Sequence, residues 1–232
     1  MPSTSIKAVL FDLDDTLWPL DAVIKGAERA LYDWLSIHAP KVTQRFTHEG
    51  LRALRAELLP TDPRYAYDLW SLRHATLLRA CEECGEDSAR MLEAMAVFSA
   101  ARNAVTPFDD VTSGLTRLGQ DYLLGSISNG FADLQSIGLA QHFRISFAAH
   151  EFGAAKPDAS IFLAACDALR VAPHEALYVG DDPLLDVDGA QKAGLHAGWM
   201  NRFNHPFPEH IEATACFRSL HEIDTWLQEK NA

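Results

Sequence analysis

A short apolar run that turns abruptly acidic decides the fold: residues 9–17 read VLFDLDDTL. The apolar residues 8–11 predict a buried β-strand, and three aspartates follow within the next four positions. Because side chains alternate along an extended chain, Asp12 and Asp14 lie on one side of the pleat. In an open parallel sheet, ligands bind outside the carboxyl ends of the strands. Asp12 and Asp14 are therefore candidates for a functional site, although an acidic turn that only ends a strand has the same pattern.

The second half of the chain repeats the pattern of the first strand. Apolar runs predict further strands over residues 122–127, 144–149, 176–179 and 195–200. Helical periods predict helices over residues 111–119, 131–141, 159–170, 184–194 and 220–228. Strands that are apolar almost throughout, and that alternate with helices, are typical of a parallel sheet covered on both faces. These runs predict an α/β fold.

Residues from about 20 to 104 differ from the rest of the chain. Apolar residues recur there at helical spacing in four stripes: Ile24, Ala27, Leu31 and Trp34; Leu51, Leu54 and Leu58; Trp70, His74, Leu77 and Cys81; Met91, Met95 and Phe98. They predict an all-helical insert of about four helices after the first strand. We therefore expect an α/β domain formed by residues 1–18 and 105–232, and a helical domain formed by residues 19–104.

Composition narrows the range of partners. The 20 Lys and Arg residues against 32 Asp and Glu residues give a net charge of −12, which predicts no nucleic-acid partner. No apolar run approaches the ~18 residues that span a bilayer, and no signal peptide precedes the first strand, which predicts no membrane partner. The four cysteines are too few and too scattered for a disulfide framework. We expect a cytoplasmic protein, either a monomer or a homodimer.

Polar residues also follow the later predicted strands. Ser128 and Asn129 end the strand at 122–127, and an acidic cluster at 181–186 follows the strand at 176–179. Lys156 precedes Pro157, which suits the first position of the predicted helix at 159–170. Each segment alone has an ordinary explanation as a polar loop, a surface lysine or an acidic turn. Together with Asp12, they predict one functional site at the carboxyl edge of the sheet.

With these four segments in this order, the sequence resembles the phosphatase branch of the haloacid dehalogenase-like hydrolase superfamily. The resemblance covers residues 6–17 and 106–200. It implies a Rossmann-like, doubly wound parallel sheet as the catalytic core, with the helical insert as a bundle-type cap domain. It also implies a Mg²⁺-dependent phosphomonoesterase that hydrolyses a small phosphorylated metabolite through an aspartyl-phosphate intermediate.

The resemblance implies a role for each polar residue of the predicted site. Asp12 is the expected nucleophile, and Asp14 the expected general acid and base. The expected phosphate-binding residues are Thr16, Ser128, Asn129 and Lys156. The expected metal ligands are Asp12, Asp14 through its backbone carbonyl, Asp181 and Asp186. Asp182 stands where many members carry a small polar residue, so whether Asp182 or Asp186 assists Asp181 at the metal stays open.

Two activities of the same superfamily are alternatives to the phosphatase, namely a phosphomutase and a 2-haloacid dehalogenase. Loss of halide needs neither a proton donor nor a metal, and the dehalogenase branch lacks the second aspartate of the first segment. This chain has that residue, Asp14, which favours the phosphatase. A catalytically silent binding protein is a third alternative, and the joint presence of Asp12, Asp14, Lys156 and Asp181 argues against it.

A narrower resemblance concerns the substrate. The segments around Asp12 and Asp181, with the aromatic and cationic stretch at 63–74, are similar to the flavin mononucleotide phosphatase branch, whose members also act on a ribitylaminouracil phosphate. Candidate substrate-specificity residues are Trp18, Arg64, Trp70 and Arg73. Aromatic rings can stack on a planar substrate and arginines can pair with its anionic groups. The same aromatic residues at helical spacing also fit the core of a helical bundle.

Overall fold

The computed structural model describes residues 5–206 and 211–231, so the predicted core bounds at residues 1–4 and 232 fall outside the described range. The chain forms two compact units. The α/β unit contains the described residues up to Pro19, Thr106–Gly130, and those from Leu134 onward. The helical unit contains Leu20–Val105 together with Phe131–Asp133.

The α/β unit is built on a parallel sheet. Its strands are β1 (Ala8–Phe11), β2 (Leu123–Ser128), β3 (Ile145–Ala148), β4 (Ala176–Gly180), β5 (His196–Met200) and β6 (Ala215–Phe217). Their order is β3-β2-β1-β4-β5-β6, and every neighbouring pair is parallel. The strand order changes direction beside β1, which is the switch point where α/β sheets bind ligands. The predicted Rossmann-like, doubly wound α/β fold is confirmed.

Within the described residues of this unit, six α-helices surround the sheet. They are α6 (Val111–Asp121), α7 (Leu134–Ile137), α8 (Ala149–Phe152), α9 (Ala159–Leu169), α10 (Gly189–Lys192) and α11 (Leu220–Asn231), numbered after the five helices of the helical unit. The core between sheet and helices contains Leu10, Ile127, Phe162 and Tyr178. The rings of Phe162 and Tyr178 meet edge to face, with centroids 4.9 Å apart. This packing fixes Tyr178 of β4 beneath the carboxyl edge of the sheet.

The helical unit has five helices in the described chain. They are α1 (Leu20–His38), α2 (Pro40–Arg45), α3 (His48–Leu58), α4 (Leu69–Cys84) and α5 (Met91–Asn103). Their core contains Leu31, Leu35, Leu77, Met95 and Phe98, which belong to the stripes read from the sequence, except for Leu35. Short 3₁₀ turns at Leu59–Thr61 and Pro63–Ala66 connect α3 to α4. The helix not anticipated is α2, which begins at Pro40.

The predicted helix over residues 131–141 is wrong. Only Leu134–Ile137 is α-helical, and a 3₁₀ turn at Ala140–His142 follows a glycine, Gly138, with φ of +83°. Phe131 packs against Phe98 of the helical unit with ring centroids 6.0 Å apart, and the Asp133 N–H donates to Asn103 Oδ1 over 3.0 Å. Because residues 131–133 pack within the helical unit, they do not extend the helix that begins at Leu134 in the α/β unit.

Three smaller expectations also need correction. The predicted helix over 184–194 begins as a π-helical turn at Pro183–Asp188 before α10. Pro157 lies two residues before α9, because Asp158 caps that helix by accepting the Ser160 N–H. The edge strand β6 was not predicted, since three residues give too short an alternation to recognise. In the part of the chain that the structure describes, no helix is both long and apolar enough to cross a bilayer.

Candidate active site

The residues after β1 and β4 meet because these two strands are neighbours. The Asp12 N–H donates to the Val179 carbonyl over 2.9 Å, which extends the ladder one residue past β1. Asp181 follows β4 directly, and Asp186 lies in the π-helical turn after it. One carboxylate oxygen from each of Asp12, Asp181 and Asp186 lies within 4.8 Å of the others. Residues distant in sequence thus form one acidic cluster at the carboxyl edge of the sheet.

Lys156 supplies the positive charge of this cluster. Its Nζ donates to Asp12 Oδ1 over 2.5 Å, to Asp186 Oδ1 over 2.6 Å, and to the Tyr178 hydroxyl over 2.9 Å. The lysine side chain is 3% exposed, so all three of its N–H donors have protein acceptors in a buried site. Three acceptors in fixed positions hold the ammonium group in a single place.

The electrostatics of the cluster show an excess of negative charge. Burial raises the pKa of Asp12 to about 7, because Lys156 only partly offsets it and the carboxylates of Asp186 and Asp14 add to it. Burial, with the charges of Asp12 and Asp186, raises the pKa of Asp181 to about 9. The pKa of Lys156 lies above its usual value, because Asp12 and Asp186 outweigh the effect of burial. The lysine is therefore cationic, and the carboxylates repel one another.

Asp186 is positioned by donors on every side. Besides Lys156, it accepts from the Tyr178 hydroxyl at Oδ1 over 3.0 Å and from the Asp182 N–H at Oδ2 over 2.9 Å. Gly180 makes room for it, since a Cβ on Gly180 would lie 2.3 Å from the Asp186 carboxylate. Burial and the neighbouring carboxylates raise the pKa of Tyr178 well above its usual value, so its hydroxyl remains a donor.

Asp182 has a different task from its neighbours. Its Oδ1 accepts the backbone N–H groups of Leu184 over 2.8 Å and Leu185 over 2.9 Å, which caps the π-helical turn. Asp186, and not Asp182, therefore joins Asp181 in the acidic cluster.

Asp14 lies beside the cluster and has its own partner. The Trp18 indole N–H donates to Asp14 Oδ1 over 2.8 Å, and the Asp15 N–H donates to the Trp18 carbonyl over 2.8 Å. Asp15 between them has φ of +56°, a left-handed conformation that aspartate tolerates better than most residues. The Trp18 ring is fully buried, so within this loop it orients Asp14.

The predicted phosphate-binding residues are placed in two ways. Ser128 ends β2, and its Oγ accepts the Gly130 N–H over 3.0 Å. Asn129 clamps the Lys156 backbone, accepting its N–H over 2.8 Å and donating to its carbonyl over 3.0 Å. The Thr16 Oγ1 is buried and has no hydrogen-bond partner among the described residues. Asn129 thus positions Lys156, whereas the Thr16 hydroxyl makes no hydrogen bond within the described chain and can still bond to a ligand.

The other predicted specificity residues belong to the helical unit. Arg64 is exposed and pairs with Asp62, with 2.6 Å between Arg64 Nη2 and Asp62 Oδ2. The Trp70 ring stacks on His74 with centroids 5.4 Å apart, and it packs against the core of that unit. Arg73 is mostly buried over the Phe98 ring. These three side chains therefore have different partners and different degrees of exposure.

Two site residues were not recognised from the sequence. In the sequence, Tyr178 has the pattern of a core residue, because it lies in an apolar strand. The only signal for a further role is its hydroxyl, since a buried tyrosine hydroxyl normally has a hydrogen-bond partner. Arg202 donates from Nε to the Thr16 carbonyl over 3.1 Å and from Nη1 to Asp110 Oδ1 over 2.7 Å. It therefore ties the loop after β1 to the residue before α6, and no local pattern marks it.

The acidic cluster suits a hard divalent cation. Mg²⁺ prefers oxygen ligands, and three carboxylates converge here. Two of them, Asp12 and Asp181, have raised pKa values that a bound cation would lower. Asp186 already uses both oxygens with protein donors, whereas Lys156 engages only Oδ1 of Asp12. Asp12 and Asp181 are thus better placed than Asp186 to contact an ion directly.

Comparison with known proteins agrees with this geometry. The family model described as haloacid dehalogenase-like hydrolase matches residues 6–194. The 5-amino-6-(5-phospho-D-ribitylamino)uracil phosphatase YigB of Escherichia coli is 30% identical over 207 residues, which cover 88% of this chain and 87% of that protein. The phosphoserine phosphatase of Thermus thermophilus is 32% identical over 227 residues, with coverage of 87% and 91%.

A solved structure is similar over nearly the whole chain. It is the crystal structure of a 2-haloacid dehalogenase from Pseudomonas syringae pv. Tomato DC3000, with a TM-score of 0.92, 36% identity, and coverage of 98% of this chain and 100% of that one. The fold and the site define a hydrolase with a carboxylate cluster at the switch point of a parallel sheet. The chain belongs to the haloacid dehalogenase-like hydrolases. The predictions of family and of hydrolase activity are confirmed.

Proposed function

We propose that this enzyme is a Mg²⁺-dependent phosphomonoesterase that acts on a small phosphorylated metabolite. The observation that carries the proposal is the convergence of Asp12, Asp181 and Asp186 on the buried ammonium group of Lys156. A phosphate ester and a carboxylate nucleophile repel each other, so a site that unites them must supply positive charge. Lys156 supplies one positive charge. The carboxylates in excess over Lys156 provide a binding site for a metal cation, which would supply the rest.

Asp12 is the proposed nucleophile. An Asp12 carboxylate oxygen attacks phosphorus and forms an aspartyl-phosphate, while the bond from phosphorus to the substrate oxygen breaks. Asp14 donates its proton to that leaving oxygen, and the Trp18 indole N–H fixes the direction of the Asp14 carboxylate. Lys156 stays on Asp12 Oδ1 and holds the nucleophile in one orientation.

The second half-reaction uses the same residues in reverse. Asp14, now ionised, takes a proton from a water molecule, and the oxygen of that water attacks phosphorus. The bond between phosphorus and the Asp12 oxygen breaks, so inorganic phosphate leaves and the Asp12 carboxylate is restored. Among the predicted phosphate contacts, Ser128 and Thr16 are the hydroxyls, and Asn129 acts through Lys156.

Asp12, Asp181 and the backbone carbonyl of Asp14 are the proposed ligands of Mg²⁺, with Asp186 orienting the site. When bound, the ion neutralises charge on the phosphoryl oxygens and on the nucleophile. Asp186 is rigid because Lys156 and Tyr178 hold one oxygen and the Asp182 N–H holds the other.

For the substrate, we propose 5-amino-6-(5-phospho-D-ribitylamino)uracil or flavin mononucleotide. The support is the likeness to YigB, named as a phosphatase of the first compound. The proposed specificity residues remain Trp18, Arg64, Trp70 and Arg73. The buried Trp18 would act through Asp14, whereas the exposed Arg64 is free to meet solvent and ligand on its outer side.

A 2-haloacid dehalogenase is the second candidate function, because the similar structure from Pseudomonas syringae carries that name. Both reactions begin with attack by a carboxylate such as Asp12. They differ at the leaving group, since halide leaves without a proton and an alkoxide needs one. Asp14 and its bond from Trp18 supply that proton donor, which favours phosphate release.

One assay decides between these functions. The purified protein with MgCl₂ is offered ribitylaminouracil phosphate, flavin mononucleotide, phosphoserine, glucose 1-phosphate and p-nitrophenyl phosphate, and separately L-2-chloropropionate, while phosphate and chloride are measured. We expect phosphate release that EDTA stops and added Mg²⁺ restores, and no chloride release. Chloride release that persists in EDTA would establish the dehalogenase instead. Formation of glucose 6-phosphate from glucose 1-phosphate would establish a phosphomutase, and no turnover at all would favour a silent binding protein.

A further inference from the structure

The helical unit contains a small pocket that the proposed reaction does not use. It lies between α1, α3 and α4, with a volume of about 30 Å³, and apolar residues such as Leu31 and Leu77 form part of its wall. A cavity of this size accommodates one or two water molecules or the oxygen atoms of one small ion. The wall also contains Tyr32, His48, Thr76 and four charged residues, whose charges do not balance.

Three arginines of the pocket share a single carboxylate. Arg52 donates two hydrogen bonds to Glu28 Oε2, one from Nη2 over 2.5 Å and one from Nε over 2.9 Å. The other two approach Glu28 Oε1 only at 3.6 Å from Arg55 Nη1 and 3.8 Å from Arg73 Nη1, which is too far for a hydrogen bond. Glu28 is the only acidic residue in this wall, all of which lies within the described chain. Within the pocket wall, three guanidinium groups therefore face one carboxylate, and the carboxylates of Glu49 and Asp21 act on Arg52 from outside the wall.

Arg73 is the most constrained of the three. Its side chain is 13% exposed, and its Nε–H is buried without a hydrogen-bond partner in the described chain. Its guanidinium carbon lies 3.8 Å from the centroid of the Phe98 ring, a cation–π contact that satisfies no N–H donor. Burial, with the neighbouring charge of Arg55, lowers the pKa of Arg73 to about 9, so it remains cationic at neutral pH. A buried cation with an unmet donor is unfavourable unless an acceptor occupies the space beside it.

We propose that this pocket is a binding site for a small oxyanion, held by Arg55 and Arg73 beside the pair formed by Arg52 and Glu28. A planar guanidinium group presents parallel N–H donors that match the oxygens of a carboxylate, sulfate or phosphate. Arg55 and Arg73 have donors to offer because both hydrogen bonds to Glu28 come from Arg52, and Glu28 Oε1 lies too far from Arg55 and Arg73 to accept from them. The proposal concerns the helical unit alone and does not rest on the proposed phosphatase activity.

The probe for the test is sulfate, titrated at constant ionic strength into the full-length, ¹⁵N-labelled protein. The arginine Nε–Hε signals report on the pocket, and the Arg73 signal is identified by its loss in Arg73→Lys. The Trp18 indole N–H, which is bonded to Asp14, reports separately on sulfate at the acidic site. Arg79→Gln is the matched control, since Arg79 lies on α4 but pairs with Glu82 and Glu83 at the surface.

We expect a saturable shift of the Arg73 signal whose midpoint weakens about tenfold or more in Arg55→Gln and stays unchanged in Arg79→Gln. A folded wild-type protein without a saturable shift would overturn the proposal, as would equal midpoints in Arg55→Gln and Arg79→Gln. Either result would leave the cluster as an ion-pair network only.

A second measurement does not depend on the Arg55 variant. Glu28→Gln removes the internal counter-charge, so sulfate must raise the thermal midpoint more in this variant than in the wild-type protein. An equal rise in both would contradict the proposal, because sulfate would then act only through its general stabilising effect on folded proteins.

Discussion

The α/β unit and the helical unit each bury a cation, but the excess charge around that cation is negative in the first unit and positive in the second. Around Lys156, three carboxylates converge on one ammonium group. Around Arg73, three guanidinium groups share the carboxylate of Glu28. A buried charge is stable only when it is paired and hydrogen-bonded, so each excess specifies the sign of the group that completes it. The first site calls for a cation and the second for an anion.

The two sites also differ in how far their hydrogen bonds are satisfied. Every N–H of the Lys156 ammonium group has an acceptor at 2.9 Å or less. Arg73 instead has a buried Nε–H that meets no acceptor in the described chain. The α/β site is therefore rigid before a ligand arrives, which suits catalysis, whereas the arginine pocket depends on its ligand for its last contacts.

Asp12→Asn should have the largest effect. Asparagine keeps an oxygen for Lys156 at nearly constant volume but is not a nucleophile, so we expect phosphate release to fall at least about a thousandfold with little change in the thermal midpoint. Asp188→Asn is the matched control, because Asp188 pairs with Lys192 outside the cluster. Wild-type turnover in Asp12→Asn would show that the acidic site is not where the bond breaks.

Asp181→Asn should separate metal binding from stability. Asp181 repels Asp12 and Asp186, which contributes to its raised pKa, so its neutral replacement should raise the thermal midpoint of the metal-free protein. A neutral amide binds Mg²⁺ more weakly than a carboxylate does, so the Mg²⁺ concentration for half-maximal activity should rise about tenfold or more. The two quantities are measured by calorimetry in EDTA and by a Mg²⁺ titration of phosphate release. If neither changes, the carboxylate excess does not serve a cation.

Tyr178→Phe tests the rigidity of the same site. The Tyr178 hydroxyl touches Lys156 and Asp186 and, in the proposed mechanism, no substrate, so it is a positioning residue. Its loss leaves one ammonium N–H unmet, and we expect kcat to fall about tenfold with KM nearly unchanged. Phe162→Leu, at the ring that packs on Tyr178, controls for altered packing and should leave kcat within about twofold. Equal kcat in the wild-type and Tyr178→Phe proteins would contradict the positioning role.

The sequence predicts the α/β site well because its rules are local and periodic. Asp12 and Asp181 are found from apolar runs that end in acids, and the parallel sheet then brings them together. Tyr178 is missed because a hydroxyl inside an apolar strand has no local signal. The segment at 131–141 is misread for a similar reason, since Phe131 packs with Phe98, some thirty positions away, instead of continuing a helix.

The arginine pocket is harder still to predict. Arg52 and Arg55 stand three positions apart on α3, which places them on one face of that helix. Nothing in the sequence, however, indicates that Glu28 of α1 and Arg73 of α4 approach them, because that depends on how three helices pack. Periodicity identifies which face of each helix is buried, and it leaves the pairing between charged residues undetermined.

The last prediction concerns stability and not turnover, namely the pH dependence that Glu28 contributes. Burial alone would raise its pKa, but the bonds from Arg52 and the charges of Arg73 and Arg55 outweigh it, so the pKa of Glu28 is lowered. The unfolded chain then binds more protons than the folded one near the usual glutamate pKa of about 4.3. The stabilisation is therefore complete above about pH 4.3 and is lost as the pH falls through the lowered value.

In urea unfolding, Glu28→Gln should cost about 2 kcal/mol at pH 7, with a smaller difference at pH 3. Glu82→Gln, which removes a surface partner of Arg79, should cost less than about 1 kcal/mol at either pH. A Glu28→Gln loss that does not shrink in acid would mean that the arginines are balanced by something other than this carboxylate.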